Sequence, residues 1–224
     1  MASPRPFSTG LVSPAWPASD VRDFWGLEPL SGRLVEISGH RASANLTVAF
    51  GLVLEAQSQD EPAAWVTLAQ STFFPPDAAD SGIDLSRLAV VRVSDGTAAC
   101  RAVVELTRSG GFGLVVLDLG PGALQEKLEK RPPRTQRLRR KRENLSVPFI
   151  TKLVGLAQKT STAVVVLTEK TRESSSLNSL ISLRCEARRS SDRPCEIEID
   201  VLKDKRRGPG RRYREVCRAP AGLR

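Results

Sequence analysis

Gly32–Phe50 reads GRLVEISGHRASANLTVAF, and its hydropathy divides it into a buried strand, a short loop and a helix. Leu34–Ser38 is the strand; Leu46, Val48, Ala49, Leu52 and Val53 then recur at helical spacing from a start near Ala44. Strand, loop and helix form the layout of a phosphate-binding loop. Such a loop needs G-x-x-x-x-G-K-[ST], because glycine amides wrap the phosphates and a lysine neutralises their charge. Laid on that template, Gly39 takes the first glycine, but Ala44, Asn45 and Leu46 fill the last three positions. The layout is kept and the phosphate chemistry is missing.

Outward from this stretch, apolar strands alternate with helices. Ala63–Leu68 (AAWVTL), Leu88–Val93 (LAVVRV), Leu114–Leu119 (LVVLDL) and Ala163–Leu167 (AVVVL) read as strands covered on both faces. Helices are expected at Thr97–Ser109, capped by Ser94 or Asp95 and ended by Gly110 and Gly111, and from Asn144 or Ser146 to Lys159. Ser71–Asp84, with Pro75, Pro76 and Gly82, reads mostly as loop, and Glu169–Ser179 as a polar loop. Ile181–Ala187 and Cys195–Val201 alternate with period two, which marks antiparallel strands with one wet face. A last strand is expected near Tyr213–Arg218. The class is α/β, a mostly parallel central sheet with a C-terminal antiparallel extension.

The chain has 224 residues and 40% hydrophobic content, enough for one domain with tails. Residues 1–25 form a Pro/Ser-rich arm, 26–218 the domain with a basic loop at 120–143, and 219–224 a tail. No run of 18 apolar residues exists, and the first twenty residues lack the basic start and apolar run of a secretory signal. No membrane partner and a cytoplasmic location are therefore expected. The four cysteines are scattered, without a C-x-x-C pair, and the single histidine, His40, is distant from them, which argues against a zinc site.

Charge divides the chain. Residues 1–130 carry 10 Lys+Arg against 15 Asp+Glu, whereas 131–224 carry 24 against 10. Two clusters hold much of the excess: Arg131–Arg142 (RPPRTQRLRRKR) and Lys203–Arg214 (KDKRRGPGRRYR). A one-sided basic field attracts polyanions, chiefly nucleic acid. The candidate contacts are Arg134, Arg137, Arg139, Arg140, Lys141 and Arg142 in the first cluster. In the second they are Lys203, Lys205, Arg206, Arg207, Arg211 and Arg212, with Tyr213 as a stacking surface. A solvated charge run is the plainer alternative for the first cluster, and a protein contact competes for the second.

Several stretches resemble the RecA recombinase family. GRLVEISG is similar to the run entering that family's phosphate loop, and SGIDLSRLAVVRVSD to the stretch before its third strand. RSGGFGLVVLDL resembles the Walker B region, placing Asp118 at its aspartate; LISLRCEARR and IDVLKDKR resemble two later strands. The resemblance covers roughly Gly26–Arg218 and implies a RecA-like three-layer sandwich. The departures bear on function. The phosphate-loop lysine and hydroxyl fall on Asn45 and Leu46, and the catalytic glutamate on about Ala69, next to Gln70. Gly39, His40, Arg41, Ala44, Asn45 and Asp118 thus form a degenerate nucleotide site, with no ATP, magnesium or other cofactor expected. His40 and Arg41 retain the chance of meeting an anion at the helix N-terminus.

The resemblance extends to the ImuA group, RecA-like accessory factors of damage-induced mutagenic DNA synthesis. It implies a catalytically inactive DNA-repair accessory in SOS and translesion synthesis. Its partners would be DNA, chiefly single-stranded, and a repair polymerase or RecA-type protein. Self-association would not follow the usual filament route, since residues 1–25 offer no counterpart of the family's joining segment. Two alternatives stay open: a DNA-dependent recombinase ATPase, and a protein-interaction regulator without DNA contact. Trp16, Phe24 and Trp25 serve either a partner contact or packing onto the sheet.

Overall fold

The computed structural model describes residues 25–40, 43–69, 71, 73–118, 120, 147–190, 193 and 196–216. Eight strands form one sheet: β1 (Leu34–Gly39), β2 (Ala63–Leu68), β3 (Leu88–Val93), β4 (Leu114–Asp118), β5 (Ala163–Glu169), β6 (Leu183–Arg189), β7 (Glu196–Asp204) and β8 (Arg212–Val216). Their order is β3-β2-β4-β5-β1-β6-β7-β8. The expected three-layer α/β sandwich is what forms, with one change of pairing. β6 lies parallel to β1 and antiparallel to β7, so the parallel part continues one strand further before the extension begins.

Among the described residues four helices form: α1 (Asn45–Ser58), α2 (Pro75–Asp80), α3 (Gly96–Ser109) and α4 (Val147–Thr160). On one face, Val48, Ala49, Leu52 and Val53 of α1 pack with Val35, Ile37, Trp65, Ile197 and Ile199. Leu46, expected inward, is only partly buried at that rim. Trp65 is fully buried, with Phe50 and Phe73 at centroid distances of 5.3 and 5.0 Å. Such aromatic pairs add about 0.5–1.5 kcal/mol each beyond their buried area. On the other face, Ala99, Val103 and Val104 of α3 and Ile150, Leu153 and Ala157 of α4 cover Leu34, Val66, Val115 and Val164.

Asp95 caps α3 by accepting from Ala98 N at 2.9 Å, and Gly110 ends it in the left-handed region at φ 68°. A side chain at Gly110 would strain that turn. Trp25 and Leu27 lead into a 3-10 turn, Glu28–Leu30, whose Leu30 is buried, so this part of the arm packs onto the core.

Two expectations need correction. The Ser71–Asp84 stretch holds α2, because Pro75 and Pro76 begin a helix rather than break one: the first helical turn needs no N–H donors and favours their fixed φ. The β3 strand is a sheet edge, with Ala89, Val90 and Arg92 exposed, not a strand covered on both sides. The basic loop after Gly120 lies outside the described residues.

A buried ion pair joins the two halves of the chain. Arg33 Nη2, beside β1, meets Asp204 Oδ1 at the end of β7 at 2.6 Å, and both side chains are almost fully enclosed. Arg33 also donates from Nε to Ser182 Oγ and from Nη2 to Ser182 O, while Arg211 Nη2 approaches Asp204 Oδ2 at 2.5 Å. Removing one partner strands a charge inside the protein, which typically costs about 3–5 kcal/mol. Asp204→Ala is therefore expected to lower unfolding free energy by about that amount in urea titrations. Arg87→Ala, which breaks the exposed pair with Asp60, is expected to cost under about 1 kcal/mol.

Candidate functional site

The C-terminal ends of β1, β4 and β5 meet beside the start of α1, where the sequence placed the degenerate nucleotide loop. β1 delivers Gly39 there, followed by exposed His40. Arg41 lies outside the described residues. Where the loop resumes, Ser43 bridges to Arg188 on β6, and Ala44 N donates to Ala187 O at 3.1 Å. Asn45 N donates to Ser43 Oγ at 3.2 Å, and Asn45 Nδ2 donates to Thr168 O at 2.9 Å. From the other side, Lys170 N donates to Gly39 O at 3.1 Å. A phosphate loop aims its amides at the anion; here those of Ala44 and Asn45 go to protein acceptors.

The space around Gly39 is closed. A methyl group added there would lie 2.5 Å from Ser43 Oγ, 2.7 Å from Asn45 Oδ1 and 2.8 Å from Ala187 O. Glycine is therefore retained at this position for close packing, since its backbone needs no positive φ. Asn45 Oδ1 is itself buried without a hydrogen-bond partner.

Asp118 ends β4 opposite Thr67 of β2 and is 4% exposed. Its Oδ1 accepts from Gly120 N at 2.9 Å, and its Oδ2 has no partner. Burial pushes its carboxyl above the usual range, against the pull of the Gly120 amide. Ala69, near which the resemblance puts the catalytic glutamate, is fixed by its backbone N–H to Val93 O. Beside that turn the Thr67 hydroxyl donates to Ser71 Oγ, which in turn accepts from Phe73 N. Nothing in the sequence singled out this hydroxyl pair.

The first basic cluster, Arg134 to Arg142, lies outside the described residues. The second is divided by the β7–β8 hairpin. Lys205, Arg206 and Arg207 project from the turn after Asp204. Arg211 turns back to Asp204 and donates from Nε to Tyr213 Oη at 3.2 Å. The Tyr213 ring packs against Trp25 at 6.1 Å, and Lys203 Nζ donates to Asn178 O and Ser179 O. Arg212 Nε meets Asp200 Oδ1 at 2.5 Å.

The face of β7 expected to be wet is instead roofed by arginines. Asp200 also meets Arg172 at 2.7 Å, and Glu198 meets Arg188 at 2.8 Å and Arg214 at 3.4 Å. Glu196 pairs with Arg193 at 3.2 Å and Arg214 at 3.6 Å. As a result Glu196 and Asp200 are buried, at 7% and 5% exposure. The alternation showed which residues share this face. What covers it depends on cross-strand register, which the sequence does not display.

The titration of these groups has two opposed signs. Burial alone would raise the Asp200 carboxyl, but bonds from Arg212 and Arg172 outweigh it and hold it below the usual range. Asp204 is likewise held down, against burial, by the Arg206 amide and Arg33. Their stabilisation is complete above the unfolded carboxyl value and is lost as pH falls through the lower folded values, below about pH 4. Burial, with Glu55 nearby, pushes Glu215 up from 4.5 to about 7. Its contribution is present below pH 4.5 and is lost as pH rises through about 7. Urea midpoints should therefore fall below about pH 4, and fall again between pH 4.5 and 7. Glu215→Gln should shrink the second decline, whose remainder comes from the burial-raised carboxyls of Asp118 and Glu55, and leave the first.

With this geometry in place, the chain can be set beside known proteins. A family model described as RecA N-terminal domain matches residues 25–181, which include β1, the Gly39–Asn45 loop and Asp118. Protein RecA of Thermotoga petrophila is 37% identical over 87 residues, 39% of this chain and 24% of that protein. Protein RecA of Heliobacterium modesticaldum is 34% identical over 87 residues, 39% of this chain and 25% of that protein. The aligned stretch thus spans about a quarter of the length of these relatives. The family match takes in most of the described sheet, and the chain belongs to the RecA N-terminal domain family.

Proposed function

We propose that this chain is a RecA-type scaffold without ATPase activity, acting as a DNA-repair accessory that binds DNA, repair-polymerase or RecA-type partners. The observation that carries this reading is the closed loop at Gly39: Ser43 and Asn45 crowd the glycine, and the loop amides of Ala44 and Asn45 are bonded to protein. A triphosphate seated there would have to displace those contacts, with no lysine to neutralise it and no hydroxyl at Leu46 to hold magnesium. Ala69 supplies no carboxylate to activate water. Asp118 keeps the Walker B place, with burial opposing its charge and no lysine or hydroxyl at Asn45 or Leu46 to share a metal with it.

The DNA role rests on the basic second half, whose two clusters carry 14 of its 24 Lys and Arg residues. Single strands are the form proposed, because a flexible strand adapts its phosphate spacing to the protein. Damage-induced translesion synthesis is the setting proposed for this activity. An open groove at the β3 edge, lined by Phe73, Pro75, Leu85, Leu88, Val90 and Arg92, with Phe74 56% exposed, supports a second reading. There the chain would be a protein-interaction regulator without DNA contact.

Fluorescence anisotropy with a labelled oligothymidylate separates the two. If four phosphates are neutralised, affinity should fall about 50-fold between 50 and 200 mM salt, from the single-strand counterion slope. Replacing Arg139, Arg140, Lys141 and Arg142 with Ala should abolish most of that salt dependence. Wild-type affinity and slope in this variant would remove DNA from the cluster. Absence of binding by the wild-type protein at either salt would favour the regulator.

A further inference from the structure

Thr171–Ser182 joins β5 to β6 and lies over the sheet face that carries Glu36, Arg184 and Lys203. Its backbone is held from below by four side chains of the sheet. Lys170 Nζ donates to Ser175 O at 3.3 Å, and Arg184 donates to Thr171 O at 2.9 Å and to Ser174 O. Lys203 Nζ donates to Asn178 O at 3.4 Å and to Ser179 O at 3.1 Å. In the opposite sense, Leu177 N donates to Glu36 Oε2 at 2.9 Å. Five carbonyls and one amide of a single loop are thereby fixed by side chains rather than by a ladder.

Glu36 is the centre of this arrangement. It is fully buried in β1, accepts from Thr168 Oγ1 at 3.1 Å, and faces Lys170 Nζ at 3.1 Å. Arg184, 3% exposed, also donates from Nε to Ser38 Oγ at 3.3 Å. The same frame reaches the degenerate loop, since Thr168 O accepts from Asn45 Nδ2 and Gly39 O accepts from Lys170 N. Both loops are tied to Thr168–Lys170, one on each side.

We propose that Glu36, Lys170, Arg184 and Lys203 form a permanent latch that keeps the β5–β6 loop closed without any ligand. Asn45 secures the same strand end from the opposite loop. A ligand-driven loop would need its anchor at Thr168 free to respond; here that carbonyl is occupied by a side-chain amide of the protein itself. Glu36 is a positioning residue, acting on the loop through Lys170 and the Leu177 amide. The latch also commits Lys170, Arg184 and Lys203 to backbone oxygens. Polyanion contacts then fall to cations outside it, which takes Lys203 out of the nucleic-acid surface. This inference stands whether or not the chain binds DNA.

Hydrogen exchange on the intact protein, read by mass spectrometry, tests the latch. In the wild type, peptides spanning Thr171–Ser182 should exchange far more slowly than an unstructured chain. Neither Mg-ATP nor an oligothymidylate should change that protection. Glu36→Gln and Lys203→Met should each speed exchange there by about tenfold or more, as local opening replaces lost hydrogen bonds. Peptides from β2 and β4 should keep wild-type rates. Should Glu36→Gln unfold throughout, the half-exposed Lys203→Met decides. Unprotected exchange in the wild type, a change on adding Mg-ATP, or wild-type protection in Lys203→Met would overturn the proposal.

Discussion

Strand β1 lies between β5 and β6, parallel to both, and that position governs what its C-terminal end can do. Each group leaving β1 is bracketed by a neighbouring strand on either side. Ser38 donates to Cys185 O on β6, Glu36 accepts from Thr168 on β5, and a side chain at Gly39 would run into Ala187 O on β6. In a phosphate-binding arrangement the following loop would arch away from these strands and aim its amides inward at an anion. With Asn45 in place of the lysine, the loop instead settles against the strands and satisfies its donors on them. The same substitution that removes the positive charge supplies an amide that bonds Thr168 O. On the proposed reading, the residue that lacks the charge for a phosphate also ties the loop to β5.

Charge follows a comparable logic in the antiparallel extension. The excess of arginine in the second half suggests a surface open to polyanions, yet many of its arginines are held by carboxylates of β7. Asp200 takes Arg172 and Arg212, and Asp204 takes Arg211 together with Arg33 from the first half. These pairs replace the helix that covers the parallel strands: guanidinium groups roof the polar face of β7 and bury its acids. The exposed cations that project without such a role in the hairpin are Lys205 and Arg206, both exposed at its turn. Net charge over a segment therefore overstates the field available to a partner.

The parallel core was legible because burial on both faces writes a continuous apolar run. AAWVTL, LVVLD and AVVVL lie where the sequence placed them. The ends of α3 were legible through Asp95 and Gly110, whose capping chemistry is local. What the sequence hid was set by contacts between distant segments. Pro75 and Pro76 have the same composition signal whether they stop a helix or start one. The alternating acids of β7 look solvent-facing until the register brings Arg188 and Arg214 over them. The latch over Thr171–Ser182 is held at backbone carbonyls, which carry no residue signature at all. Within the candidate site, the missing lysine is visible at Asn45, whereas the contacts that close the loop around Gly39 arise only when β6 is brought beside β1.

The central claim is that the end of β1 is filled by the protein's own side chains. A crystal structure determined with magnesium and a non-hydrolysable ATP analogue addresses it most directly. The account predicts Ser43 and Asn45 unmoved against Gly39, with Asn45 Nδ2 still bonded to Thr168 O and no triphosphate between Gly39 and α1. An ordered triphosphate seated over Gly39–Asn45, with those side chains displaced and magnesium beside Asp118, would contradict it.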